Sequence, residues 1–123
     1  MEPRKPAGLR IFLADDETPV IQTLSFILKL AGHSVESAED GEEAFAKLTA
    51  PDAEYHLLIT DHTMPVLSGM HLVEKLRAVN FAGKIIVLSG CLTTVIEEAY
   101  RAFNVDYILR KPFDVTSLRA ALA

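Results

Sequence analysis

Leu57-Leu58-Ile59-Thr60-Asp61-His62-Thr63-Met64-Pro65 is an apolar run, short enough for a buried strand, that ends in a carboxylate and a proline-marked loop. An Asp directly after such a run belongs at the strand's exit, and open α/β sheets collect ligand-binding residues at those carboxyl ends. Asp61 alone reads equally well as a turn residue. Its meaning depends on what the other strands bring to the same edge.

Working outward, 9–14 is a nearly continuous apolar run closed by Asp15-Asp16, the pattern of a strand covered on both faces. Thr18-Pro19 reads as a cap followed by proline at the first helical position, and Val20, Leu24, Ile27 and Ala31 recur at helical spacing up to Gly32. His33 to Ala38 alternates weakly around Val35, as an edge strand does, and Asp40 with Glu43 starts a helix showing Ala44, Phe45 and Leu48 to the core. Beyond the central run, Ser68-Gly69 opens a helix with Met70, Val73 and Leu76 on one face. Lys84 to Leu88 is the clearest buried strand and runs into Ser89-Gly90-Cys91. Thr94 with Glu97 caps the next helix, whose stripe is Ile96, Ala99, Tyr100 and Phe103. Val105 to Leu109 is the last strand. It leads to Arg110-Lys111-Pro112-Phe113 and a final helix capped by Asp114 and showing Val115, Leu118 and Leu122.

Strand and helix thus alternate five times with short connections. That pattern predicts one doubly wound domain: a parallel sheet, right-handed crossovers and helices on both faces in three layers. The domain is expected over 9–123, behind a flexible leader over 1–8 that carries Pro3 and Pro6. A net charge of -5 argues against a nucleic-acid surface, and no apolar stretch approaches a membrane span. The single cysteine, Cys91, suits a reducing compartment, so a cytoplasmic location is expected. The four histidines lack a compact ligand spacing, which disfavours a transition-metal site.

In a parallel sheet the exits of all strands share one edge. Asp15 and Asp16, Asp61, Ser89 and Lys111 can therefore converge. Three close carboxylates repel unless a cation compensates, and hard oxygen donors of this kind suit Mg²⁺. Lys111 supplies a point charge for a phosphoryl oxygen and Ser89 a hydroxyl, with further donors in the amides of His62 and Gly90. A carboxylate in such a site is a nucleophile able to form an acyl phosphate. Taken singly, Asp15-Asp16 would cap a helix and Ser89-Gly90 would be a turn. The constellation favours the metal-and-phosphoryl reading.

Asp15-Asp16, Asp61 with Met64-Pro65 and Gly69, Ser89-Gly90, and Lys111-Pro112-Phe113 resemble, in order and spacing, the signature of a response-regulator receiver domain. The resemblance covers the chain from about Leu9 onward. It implies a flavodoxin-like (βα)5 fold with strand order 2-1-3-4-5 and a cis Lys111-Pro112 peptide. It further implies Asp61 as phosphoacceptor, Mg²⁺ bound by Asp16 and Asp61 directly, by Asp15 through water and by the Thr63 backbone carbonyl. Lys111 would then pair with the phosphoryl group and Ser89 would move toward it. Implied partners are a histidine kinase or phosphotransfer protein and an output domain or downstream protein. A homodimer through the last strand and its flanking helices is open, and neither nucleic acid nor membrane is expected to be touched directly.

One departure stands out. The family usually places an aromatic three residues before the lysine, where it rotates inward with the switch hydroxyl; here that position is Ile108. Tyr107 is one residue early, and strand alternation sends it to the other face. A pseudo-receiver that binds protein without being phosphorylated is therefore a competing class. A haloacid-dehalogenase-type phosphohydrolase is a third, but it wants a second Asp where Thr63 stands. Flavin binding is disfavoured because Asp15-Asp16-Glu17 would repel a phosphate.

Overall fold

The computed structural model describes residues 8–64, 66–90 and 93–122. All but Gly8 of the expected leader, together with Pro65 and Cys91, lies outside the described residues. The elements run β1 (Arg10–Ala14), α1 (Thr18–Leu30), β2 (Ser34–Ala38), α2 (Gly41–Leu48), β3 (Leu57–Asp61), α3 (Gly69–Ala78), β4 (Lys84–Ser89), α4 (Thr94–Ala102), β5 (Tyr107–Arg110) and α5 (Val115–Leu122). The strands form one sheet in the order β2-β1-β3-β4-β5, and every pairing is parallel. This is the flavodoxin-like order that the resemblance implied. β2 is an edge, in keeping with its half-polar sequence.

The two faces of the sheet bury separate apolar sets, because alternate residues of a strand point to opposite sides. Phe12, Ala14, Leu58, Ile85 and Val87 pack with Ala44 and Leu48 of α2, Leu72, Val73 and Leu76 of α3, and Tyr100 of α4. Ile11, Leu13, Leu57, Ile59, Ile86 and Leu88 pack with Leu24 and Leu28 of α1 and Leu118 and Ala121 of α5. The central strands β1, β3 and β4 are buried on both faces, which is why their sequences are apolar runs and not alternations.

Several boundaries differ from the sequence reading, each for a local reason. The cap of α1 is Glu17, whose carbonyl accepts the amides of Val20 and Ile21. Thr18 is already helical, so Pro19 still falls in the first turn. α4 is capped by Thr93, whose side chain accepts the Ile96 amide; Thr94 is its first helical residue. The last strand begins at Tyr107, two residues later than its apolar pattern suggests, and extends to Arg110. In α5 the buried residues are Leu118 and Ala121, while Val115 is exposed. Asp40 and Ser68 cap α2 and α3 as expected, accepting the amides of Glu43 and His71.

Candidate functional site

Strand register assembles the site. Ala14 pairs with Thr60 and Asp61 with Leu88, so Asp15, one residue past β1, comes level with Asp61 at the end of β3. Ser89 pairs with Arg110, which brings Lys111 to the same rim one residue further on. Carboxylate oxygens of Asp15, Asp16 and Asp61 lie within 4.8 Å of one another. Asp15 and Asp61 are buried and Asp16 is exposed, so the cluster opens to solvent on one side.

Lys111 Nζ lies against the two buried carboxylates of this cluster, 3.1 Å from Asp61 Oδ1 and 3.3 Å from Asp15 Oδ2. Glu17 Oε1 is also 3.1 Å from it. Neighbouring carboxylates raise the lysine's pKa above its usual value, outweighing the opposing effect of burial. Burial raises the pKa values of Asp15 and Asp61 above the ordinary carboxylate range. For Asp61, Asp15 and Asp16 add to that rise and Lys111 opposes it; for Asp15, the Glu17 amide at 2.9 Å and Lys111 oppose it. One ammonium cannot offset four carboxylates, so a hard divalent cation fits the donor set.

The loop after β3 is drawn back onto the strand end. The Gly69 amide donates to the His62 carbonyl at 2.9 Å, and a Cβ at Gly69 would collide with the Asp61 carbonyl oxygen. Glycine is thus required for α3 to start this close to Asp61. A Cβ at Gly41 would likewise meet the Leu67 carbonyl, which bounds the loop from the α2 side. Between them Val66 holds a φ of 69°, an unusual conformation for a β-branched residue.

Of the other expected site residues, Ser89 is buried at the end of β4, and its carbonyl accepts the Lys111 amide at 2.8 Å. Thr63 is exposed in the β3–α3 loop, and Gly90 is exposed with open space around its Cα. The Lys111-Pro112 peptide is cis. The His62 amide donates to the Leu88 carbonyl at 2.9 Å, continuing the sheet. In this conformation it is not offered to a phosphoryl group. Ile108 is half-buried on the α4 face of the sheet with Tyr100, and Tyr107 is 46 % exposed at the edge strand.

Two features were missed in the sequence. Glu17 as a third carboxylate on Lys111 was signalled by its place two residues after Asp15, although there it counted only as repulsion. The hydrogen bond between His62 Nδ1 and the Tyr100 hydroxyl, 2.5 Å long, had no signal, since Tyr100 lies on an ordinary apolar stripe.

Residues 11–123 match the family described as response regulator receiver domain. With the sheet order and the acidic cluster already in place, the chain belongs to that family. It is 33% identical over 114 residues to the transcriptional regulatory protein FixJ of Rhizobium meliloti, covering 91% of this chain and 54% of that protein. It is 35% identical over 113 residues to the transcriptional regulatory protein PrrA of Mycobacterium leprae, covering 90% and 47%. The chain thus spans about half the length of these two relatives. A receiver protein from Pseudomonas putida superposes with a TM-score of 0.86 at 28% identity, covering 94% of this chain and 95% of that one. The response regulator TrrA of Thermotoga maritima, solved in complex with Mg²⁺ and BeF, superposes with a TM-score of 0.80 at 28% identity, covering 93% and 96%. The domain is a phosphoacceptor switch of two-component signalling, a signalling device and not a catalytic enzyme. Among the described residues, no helix is long and apolar enough to cross a membrane.

Proposed function

We propose that Asp61 is the phosphoacceptor and that a histidine kinase or phosphotransfer protein is the donor. The observation that carries this is Lys111 Nζ at 3.1 Å from Asp61 Oδ1, beside a cluster of three carboxylates whose oxygens lie within 4.8 Å of one another. An Asp61 oxygen attacks the donor phosphorus as the donor's nitrogen–phosphorus bond breaks. The nitrogen keeps the bonding pair and an acyl phosphate results. Lys111, already held by Asp15 and Glu17, is positioned to take up charge developing on the phosphoryl oxygens. Ser89 closes on the phosphoryl group from β4, and Gly90 offers an amide at the exposed rim.

Asp15, Asp16 and Asp61 would hold Mg²⁺, with the Thr63 carbonyl as a fourth protein ligand. The bound cation would neutralise phosphoryl charge and screen the carboxylates from one another. The TrrA complex with Mg²⁺ and BeF supports the choice of ion. The modified domain then binds a downstream protein or output domain differently, in the cytoplasm, where kinase and receiver meet.

Intact-protein mass after incubation with acetyl phosphate and Mg²⁺ tests this reading. One added phosphoryl mass is expected, absent in Asp61→Asn and absent with EDTA. No addition to a protein shown to bind Mg²⁺, from acetyl phosphate or from a panel of purified kinases, would leave a pseudo-receiver in its place.

A further inference from the structure

Of the three tyrosines only Tyr100 is wholly buried. It is rooted in the second half of α4, yet its hydroxyl reaches the residue directly after Asp61, sharing a 2.5 Å hydrogen bond with His62 Nδ1. The two rings meet edge to face, with centroids 5.5 Å apart and planes at 76°. The main chain of His62 is held at the site. Its amide is tied to Leu88 of β4 and its carbonyl to Gly69 of α3, both at 2.9 Å. The Asp61 carboxylate also bears on the Tyr100 hydroxyl: with burial, its charge disfavours ionisation of the phenol.

The C-terminal end of α4, one turn beyond Tyr100, is anchored. Arg77 of α3 donates from Nε to the Phe103 carbonyl at 2.8 Å and from an Nη to the Asn104 carbonyl at 2.9 Å. α4 is therefore fixed at its C-terminal end and, within a turn of that anchor, joined through Tyr100 to the residue after Asp61, while its first turn is held by neither contact. Its first turn exposes Val95 to solvent at 75 %. Ile108 shares the core around Tyr100 but has no polar atom with which to make such a link.

We propose that the Tyr100–His62 pair is the lever that passes the state of Asp61 to α4, a role that Ile108 cannot play in this chain. The inference rests on the reading of Asp61 as phosphoacceptor. A phosphoryl group on Asp61 places new charge and strong acceptors beside His62 and changes the relative stability of the paired and unpaired arrangements. Because the Tyr100 ring is close-packed, it moves only with its helix. α4 turns about the Arg77 anchor and re-presents its exposed first turn.

The test uses Mg²⁺ with beryllofluoride as the phosphoryl mimic, and hydrogen exchange read peptide by peptide alongside intact mass after acetyl phosphate. In the unaltered protein the mimic should change exchange of the 94–102 amides by about fivefold or more, the lower end of ordinary coupling factors. Tyr100→Phe keeps the ring and removes the hydroxyl. It should still gain one phosphoryl mass while the α4 response collapses, and the double variant with His62→Phe should lose nothing further. An α4 response in Tyr100→Phe equal to that of the unaltered protein would overturn the lever and leave Tyr100 as core packing alone. If the unaltered protein gains neither mass nor mimic, the reading of Asp61 fails and takes the lever with it. The mass measurement tells that failure apart from the first.

Discussion

The two ends of the sheet handle polar groups in opposite ways. At the amino ends of the strands each is matched locally. Asp106 accepts the Ile85 amide at 2.8 Å, His56 Nδ1 accepts the Arg10 amide at 2.9 Å, and Arg77 spans the carbonyls of Phe81, Gly83, Phe103 and Asn104. At the carboxyl ends, Asp15, Asp61 and Glu17 compete for one ammonium, and Asp16 adds a fourth carboxylate. One end closes its hydrogen bonds within the chain and holds the fold. The other leaves charge uncompensated, and that imbalance is what a cation and a phosphoryl group answer.

By that division, the largest stability loss comes from the satisfied end. Arg77→Ala removes the donor to four carbonyls and should cost about 3 kcal/mol, the upper range for hydrogen bonds from a charged group. Urea unfolding would report it, and phosphoryl uptake per folded molecule should be retained. Gly69→Ala strikes the other end by forcing α3 away from the Asp61 carbonyl. A loss of about 2 kcal/mol is expected from overpacking, and here, in contrast to Arg77→Ala, phosphoryl uptake should slow markedly.

Asp61→Asn should move stability the other way. Because the folded-state pKa of Asp61 is raised, its charged form opposes folding. The fold is free of that penalty below the ordinary carboxylate range and incurs it as pH rises through the raised value. In EDTA, Asp61→Asn should therefore melt above the unaltered protein at neutral pH, with the gap closing as pH falls through that window. Saturating Mg²⁺ should also narrow it. A variant less stable than the parent in EDTA at pH 7 would contradict the account of an uncompensated site. The smallest effect is expected at Val66. Val66→Gly relieves a left-handed conformation that costs a branched residue about 1–2 kcal/mol. It also adds chain entropy to the unfolded state, so a net gain of about 0.5 kcal/mol is expected in thermal melts.

Most of the site could be read from the sequence because it sits where regular structure stops. Asp15, Asp61, Ser89 and Lys111 each come within two residues of the end of a run whose pattern predicts a strand, and parallel strands share one exit edge. The misplaced boundaries fell where local signals compete. Thr94 and Thr93 are equally good caps, and Val105 is apolar although it lies outside β5.

The five-fold alternation, the double coverage of the central strands and the residues at the rim are all written in local sequence, since periodicity and turn chemistry act over neighbours in the chain. Tertiary structure alone decided that Lys111 is shared with Glu17, that the His62 amide is taken by Leu88, and that Tyr100 reaches across to His62. Those facts depend on strand register and on which way a helix faces. Both are set by packing between residues that lie tens of positions apart, and no local pattern encodes that packing.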